Sequence, residues 1–356
     1  MLKIKIDTLV FNITNYCNLN CTDCYTLSNL NVTGHQYWKD YEYIIAKYAD
    51  LIDLKKWQLE GGEPTLNPSY QDWVLGLIRY FPDATGKIIT NGSTIVPGNK
   101  KLYDLVASTN GRVSLSVSLH NINFIEEFVN NVTTSWLVPP VQTTRYPDNL
   151  EDINSFFTNW KNSYNNIKAD SWPNCNSFDD WQNLPDYIKK ECQEVFNFSP
   201  DKFADQLQGY KFVDSNNVTI TAKKINYFEN GALIFDEFPS KIKVHNSNPI
   251  IAHESCEHKL CMEVYEGKIY KCNTVGHFAT LDSQFSIDVT DEDRKLFYSY
   301  IPGNSNMSIK ELQAFFDNSV LPIDQCKFCP EVKTNNEIFA TSKKLKFFKK
   351  EDLVNR

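Results

Sequence analysis

The chain lacks any run of about eighteen consecutive apolar residues, the length a helix needs to cross a bilayer, so no helical membrane span is expected. Its opening residues, Met1-Leu2-Lys3-Ile4-Lys5-Ile6-Asp7, alternate like a strand and have no signal-peptide core. The expected compartment is the cytoplasm. Basic charge is also short: 36 Lys and Arg against 44 Asp and Glu leave a formal charge of −8, which argues against general nucleic-acid binding. Cysteine, by contrast, is plentiful. Ten cysteines in a chain without an export signal point to metal ligation instead of disulfides, because reducing compartments keep thiols free. A length of 356 residues fits about two domains, and 42% hydrophobic content suffices for a sizeable core.

Three of the cysteines are crowded into Asn15-Tyr16-Cys17-Asn18-Leu19-Asn20-Cys21-Thr22-Asp23-Cys24-Tyr25, just after an apolar strand expected over Thr8 to Ile13. Three thiolates so spaced suit a cubane iron–sulfur cluster in which cysteine holds three irons and the last stays open to a small ligand. A tetrahedral zinc site would need another donor, and no histidine or further cysteine stands close by; structural zinc and inert thiols are the competing readings. Downstream, strand Trp57-Gln58-Leu59 runs into Glu60-Gly61-Gly62-Glu63-Pro64. Lys87-Ile88-Ile89-Thr90-Asn91-Gly92 then reads as a strand with a polar end. In Val113-Ser114-Leu115-Ser116-Val117-Ser118-Leu119-His120 alternation sends the serines and the histidine to one face.

The C-x3-C-x2-C run and the Gly61-Gly62-Glu63-Pro64 element, in this order, resemble the signature of the radical S-adenosylmethionine (radical SAM) enzymes. The resemblance implies a [4Fe-4S] cluster on Cys17, Cys21 and Cys24. It also implies S-adenosylmethionine bound along Gly61, Gly62, Glu63, Asn91, Ser116, Ser118 and His120, with the methionyl amino group received at Gly61-Gly62-Glu63-Pro64. The family commonly has an aromatic residue before the third cysteine, near the adenine; Asp23 stands there, and Tyr25 is the candidate replacement. An external electron donor such as flavodoxin or ferredoxin is implied as a partner.

Helical periodicity covers Tyr41 to Ile52, Tyr70 to Phe81 and Lys100 to Ala107, and a strand is expected near Trp136 to Val141. Asp148 and Glu151 mark the start of a further helix, burying Ile153, Phe156, Phe157 and Trp160. Strands alternating with helices imply a parallel sheet. Right-handed connections leave a full or partial (β/α) barrel. The fold expected is α/β, and the resemblance implies a partial (β/α)6 TIM-like barrel over residues 1–240, with an insertion at about 162–208 whose Cys175 and Cys192 read as packing residues. Asn217 to Ile225 and Gly231 to Phe238 have strand character.

A second cysteine group, Cys256, Cys261, Cys272, Cys326 and Cys329, occupies the last third. Glu266-Gly267 is a hairpin turn signal, and pairing outward from it sets Cys261 opposite Cys272. This run resembles the cysteine-rich extension called SPASM, or twitch in its shorter form, expected here as an α+β domain over residues 241–335 that holds one auxiliary cluster. Five thiols exceed the four positions of one cluster, and spacing leaves open which is spare. A zinc ribbon using Cys256, Cys261, Cys326 and Cys329 is the alternative.

The activity these resemblances imply is reductive cleavage of S-adenosylmethionine, hydrogen abstraction from a substrate, and its oxidation or cross-linking with help from the auxiliary cluster. Peptide or protein modification is the favoured substrate reading, although the first strand begins so near Met1 that no leader-binding domain is expected before it. A sugar, aminocyclitol or nucleotide-linked small molecule is the alternative. A non-catalytic iron–sulfur or zinc scaffold is the reading from another class. The basic tail within 336–356, Ser342 to Lys350, is expected to be a solvated terminal helix.

Overall fold

The computed structural model describes residues 3–21, 24–28, 34–119, 125–146, 183, 209–224, 227–229, 233–235, 242–256, 262–285, 287–331 and 335–337. The first part of the chain alternates strand and helix: β1 (Ile4–Thr14), α1 (Trp38–Leu51), β2 (Ile52–Gly61), α2 (Tyr70–Tyr80), β3 (Thr85–Thr90), α3 (Lys101–Ser108), β4 (Val113–Leu119) and α4 (Ile125–Asn131). Strands β5 (Gln142–Tyr146), β6 (Gly209–Val213), β7 (Thr219–Lys224), β8 (Tyr227–Glu229), β9 (Leu233–Phe235) and β10 (Ile242–Val244) follow. The last third holds α5 (Pro249–Ser255), β11 (Glu263–Tyr265), β12 (Lys268–Tyr270), α6 (Asn273–Gln284), β13 (Ile287–Asp288), α7 (Asp291–Tyr298), α8 (Ile309–Ser319) and β14 (Asn335–Glu337).

A nine-stranded sheet in the order β12-β11-β1-β2-β3-β4-β7-β6-β5 organises the molecule. Every pairing from β11 through β7 is parallel, and the antiparallel pairings lie at its two ends. The fold is therefore α/β with a mostly parallel central sheet. Trp73 of α2 packs against Phe11 of β1 and Trp38 of α1, with ring centroids 6.3 and 5.1 Å apart. Helices thus cover the face carrying Leu9, Phe11, Leu59, Ile88 and Leu115, all buried in the main core. Register and alternation place Glu263, Asn12, Glu60 and the serines of β4 on the opposite face. The polar side of β4 faces away from the helices, as its alternation predicts.

Two elements differ from expectation. The strand expected near Trp136 to Val141 begins instead at Gln142, because Pro139 and Pro140 have no N–H to give a ladder, and it pairs antiparallel at the sheet edge. The hairpin at Glu266-Gly267 forms with Glu263 opposite Tyr270, the register expected for that turn, but β11 also pairs with β1. A boundary at 240/241 therefore does not separate two sheets, and Leu312 and Phe316 of α8 lie in the main core as well. Phe278, Leu281, Phe285, Ile287, Phe297 and Phe328 form a smaller apolar cluster in the last third of the chain. Cys261, His120, Asp23, the helix expected after Asp148, Cys175, Cys192 and the basic tail lie outside the described residues. Among the described residues no helix is long and apolar enough to cross a membrane.

Candidate active site

Open parallel sheets bind ligands beyond the carboxyl ends of their strands, and the expected site residues gather there. The cysteine loop leaves β1, the Gly61-Gly62-Glu63 turn leaves β2 and Asn91 leaves β3. Backbone hydrogen bonds strap the first two together: Gly62 N–H donates to Thr14 O at 2.7 Å and Glu63 N–H to Tyr16 O at 2.8 Å. Asn91 Nδ2 donates to Asn18 Oδ1 at 2.9 Å and lies 3.7 Å from Cys17 Sγ, which also accepts from Leu19 N–H at 3.4 Å.

Cys17 and Cys21 are buried and Cys24 is half-buried. Burial pushes the Cys17 thiol up to about 11, with the Leu19 and Asn91 donors pulling the other way and the charges of Cys24 and Glu63 adding to the rise. Cys21 is raised further, first by burial and then by Cys24 and Cys17. The thiols thus act on one another, and among the described residues no cation lowers the pKa of Cys17 or Cys21. Thiolates here need a positive ion, and three cysteines on one loop match in number and chemistry what a site-differentiated cubane takes. Among the described residues no group of three or more His, Cys, Asp or Glu side chains is disposed, as it stands, to hold a metal ion.

Glu63 is fully buried. Its Oε1 accepts from Thr65 N–H at 3.2 Å, from the Thr65 hydroxyl and from Thr90 Oγ1 at 2.7 Å; Oε2 accepts from Asn91 N–H at 2.7 Å. Burial raises its pKa against the pull of these donors. With a single donor, Oε2 keeps acceptor capacity for an ammonium group. Ser116 and Ser118 are half-buried on the polar face of β4. Tyr25, expected near adenine, donates its hydroxyl to Glu60 Oε1.

That contact belongs to a buried polar network that residue spacing did not reveal. Glu60, Glu263, Asn12, Asn15 and His277 are all at most 8% exposed. His277 Nε2 lies 3.2 Å from both Asn12 Nδ2 and Asn15 Oδ1, and its Nδ1 lies 3.7 Å from Glu263 Oε2. Tyr265 accepts from Asn15 Nδ2 at 2.8 Å and its ring lies over that of His277, 4.0 Å between centroids. Burial drives His277 down to about 4, so the imidazole is neutral. It drives Glu60 up to about 7, against the Tyr25 hydrogen bond, and Glu263 to about 8, with Glu60's charge adding to the rise. An acidic residue at the end of an apolar strand, as Glu60 is, was the only available signal.

These carboxyls make stability pH-dependent. In the unfolded chain each ionises near its ordinary 4.5, whereas the fold keeps its proton until about pH 7 for Glu60 and 8 for Glu263. Their contribution is fully present below about pH 4.5, falls as pH rises, and is lost once each has ionised in the fold. Urea unfolding at pH 5 and pH 8 should therefore show the Glu60→Gln variant losing less stability than the parent, by on the order of 3 kcal/mol. Parallel pH profiles for the two proteins would show that Glu60 ionises in the fold as it does in water.

The second cysteine group is brought together from separate elements. Cys256 ends α5, Cys272 caps the start of α6, and Cys326 and Cys329 flank the end of the short 3-10 turn Asp324–Phe328. Burial pushes Cys272 up to about 12, with the Val275 N–H opposing and the charges of Cys256 and Cys326 adding. Cys329 is likewise raised, first by burial and then by Cys272, Cys256 and Cys326. The four described thiols thus share one electrostatic neighbourhood.

Residues 11–136, from β1 to Trp136, match the Radical SAM superfamily. That span contains the first cysteine triad and the ends of β2, β3 and β4. No curated protein matches the chain. Among solved structures, BtrN in complex with AdoMet and 2-DOIA is 20% identical with a TM-score of 0.28, over 33% of this chain and 48% of that one. Streptococcus suis SuiB bound to S-adenosylmethionine is 23% identical with a TM-score of 0.28, over 36% and 28%. SuiB bound to precursor peptide SuiA is 21% identical with a TM-score of 0.27, over 36% and 27%. The aligned part spans less than half the length of each of these proteins, and likenesses of this size bear on neither substrate nor mechanism.

Proposed function

We propose that the chain is a radical SAM enzyme. Cys17, Cys21 and Cys24 would hold a [4Fe-4S] cluster, and Gly61, Gly62, Glu63, Asn91, Ser116, Ser118 and His120 would receive S-adenosylmethionine. The observation that carries this reading is the strapping of the cysteine loop to the Gly61-Gly62-Glu63 turn by the Gly62 and Glu63 N–H groups, with Asn91 tied to Cys17. It joins the three thiols to the amine-accepting edge as one unit. The chemistry such a cluster supplies when bound is electron delivery into S-adenosylmethionine, giving methionine and a 5′-deoxyadenosyl radical that takes a substrate hydrogen.

The protein's part is placement. Glu63 Oε2 would offer its remaining acceptor position to the methionyl ammonium, and the bare backbone of Gly61 and Gly62 lets the cysteine loop pack directly against the turn that carries it. Tyr25, whose hydroxyl is held by Glu60, would take the adenine contact. We further propose that Cys256, Cys272, Cys326 and Cys329 hold an auxiliary cluster; their shared neighbourhood supports this reading, and Cys261 lies outside the described residues. Oxidation or cross-linking of a peptide or protein substrate is the activity favoured, supported by the resemblance of the second cysteine run to extensions that accompany peptide-modifying enzymes. A flavodoxin or ferredoxin would supply electrons.

Anaerobic reconstitution with iron and sulfide, followed by reductant and S-adenosylmethionine, should yield 5′-deoxyadenosine and methionine. Zinc in place of iron at Cys17, Cys21 and Cys24, or a loaded cluster that never cleaves the cosubstrate, would overturn the proposal.

A further inference from the structure

Lys271 is 3% exposed, between β12 and α6. Its ammonium donates to the Ser319 carbonyl at the end of α8 and lies 3.4 Å from His253 Nε2. Removing an ammonium from water without a counter-charge is unfavourable, because a poorly solvated site cannot replace the lost hydration. The helix-end carbonyl supplies only partial negative charge, and His253 supplies none. Among the described residues Lys271 has no carboxylate partner. The remaining ion pairs that lysine and arginine make there are with Asp7, Glu42, Asp282 and Asp293, elsewhere in the molecule. Lys271 directly precedes Cys272, and His253, beside its ammonium, lies three residues before Cys256. Burial lowers the lysine's pKa, and charge on Cys326, Cys272 and Cys256 opposes that shift. The buried lysine thus lies next to the second cysteine group and, among the described residues, without a carboxylate partner.

We propose that Lys271 is the counter-charge of the cluster held by Cys256, Cys272, Cys326 and Cys329, and that it raises that cluster's reduction potential. The inference rests on the auxiliary-cluster reading given above. An iron–sulfur cluster with four thiolates is anionic when oxidised and gains a further negative charge on reduction. A fixed cation in a poorly solvated site stabilises the reduced form more than the oxidised one, so the couple moves to higher potential and accepts electrons more readily. Lys271 touches neither substrate nor cosubstrate in this account; it is a positioning residue that acts through the cluster.

The test uses the full chain carrying Cys17→Ala, Cys21→Ala and Cys24→Ala, so that any remaining iron belongs to the second group. Iron, zinc and sulfide are counted first, then the midpoint potential is measured by dye-mediated titration followed by electron paramagnetic resonance. Lys271→Met removes the charge; Lys271→Gln removes it while keeping a donor for Ser319 O; Lys271→Arg keeps it. The expected result is an intact cluster in all, with the Met and Gln variants shifted to lower potential by about tenfold in the reduced-to-oxidised ratio, about 59 mV for one electron. The Arg variant should hold the parent value.

Unchanged potential in a loaded Met or Gln variant would overturn the inference alone. Zinc, or no metal, in the starting triple variant would remove the auxiliary-cluster reading and the inference with it, a failure visible before Lys271 is altered. If the Met variant loads poorly, thermal unfolding of the metal-free proteins decides: a counter-charge role predicts that metal-free Lys271→Met is at least as stable as its parent. Marked destabilisation of that metal-free variant would make Lys271 a structural residue and overturn the inference.

Discussion

Substituting Cys17, Cys21 and Cys24 together by alanine is expected to bring 5′-deoxyadenosine formation down to the protein-free background while leaving a folded chain that keeps about half its iron. The reasoning separates ligation from packing. Cys17 and Cys21 are buried at 7% exposure, and trimming a thiol to a methyl there forfeits about 1 kcal/mol of apolar contact for each. The loop does not depend on those contacts for its course, because Gly62, Glu63 and Gln36 N–H groups hold its two ends to Thr14, Tyr16 and Ile13 carbonyls. The second cysteine group sits on separate elements, at the end of α5, the start of α6 and the 3-10 turn Asp324–Phe328, and should load independently. Iron and sulfide counts with 5′-deoxyadenosine measured on the same preparation check this. Retained cleavage in the triple variant would mean that the chemistry is not at this loop.

The alternating strands and the three-to-four spacing of the first helices were legible because each follows from a local periodicity. Trp73, Val74 and Leu77 bury one face of α2, and Ile88 and Leu115 bury one face of β3 and β4, as their positions predict. The parallel neighbour of β4 was not legible as such. That place is taken by β7, which follows β4 in the chain by about a hundred residues, and no local pattern specifies so distant a pairing. The same applies to β11, joined to β1 across some two hundred and fifty residues. Its consequence for the site is direct: that pairing carries Glu263, with Tyr265, to the side of Asn12 and Glu60 and completes a buried acid network of which only Tyr25 was anticipated. Single polar residues within apolar strands look like ordinary interruptions until the register shows which face they share.

Gly62→Ala should be severely damaging at the site. A methyl built on Gly62 would fall on the Tyr16 carbonyl oxygen and lie 2.6 Å from its carbon, both backbone atoms of the cysteine loop, and 2.8 Å from Ser28 Oγ. Neither carbonyl atom can swing aside as a side chain would, so the turn and the loop must separate. That strains or breaks the Gly62-to-Thr14 and Glu63-to-Tyr16 hydrogen bonds. With about 1 kcal/mol for each bond and a comparable amount for backbone strain, the loss should reach about 3 kcal/mol. Gly98→Ala is the matched control. Gly98 has φ +84° but open space around its Cβ position, so it bears only the left-handed backbone penalty of about 1–2 kcal/mol. Denaturant unfolding should rank the parent above Gly98→Ala and Gly98→Ala above Gly62→Ala. Cleavage of S-adenosylmethionine should fall by about a hundredfold in Gly62→Ala, the equivalent of about 3 kcal/mol, and hold in Gly98→Ala. Equal stability and equal cleavage in the two variants would mean that the glycine turn and the cysteine loop are not held as one unit, and the placement of the methionyl group at Glu63 would lose its support.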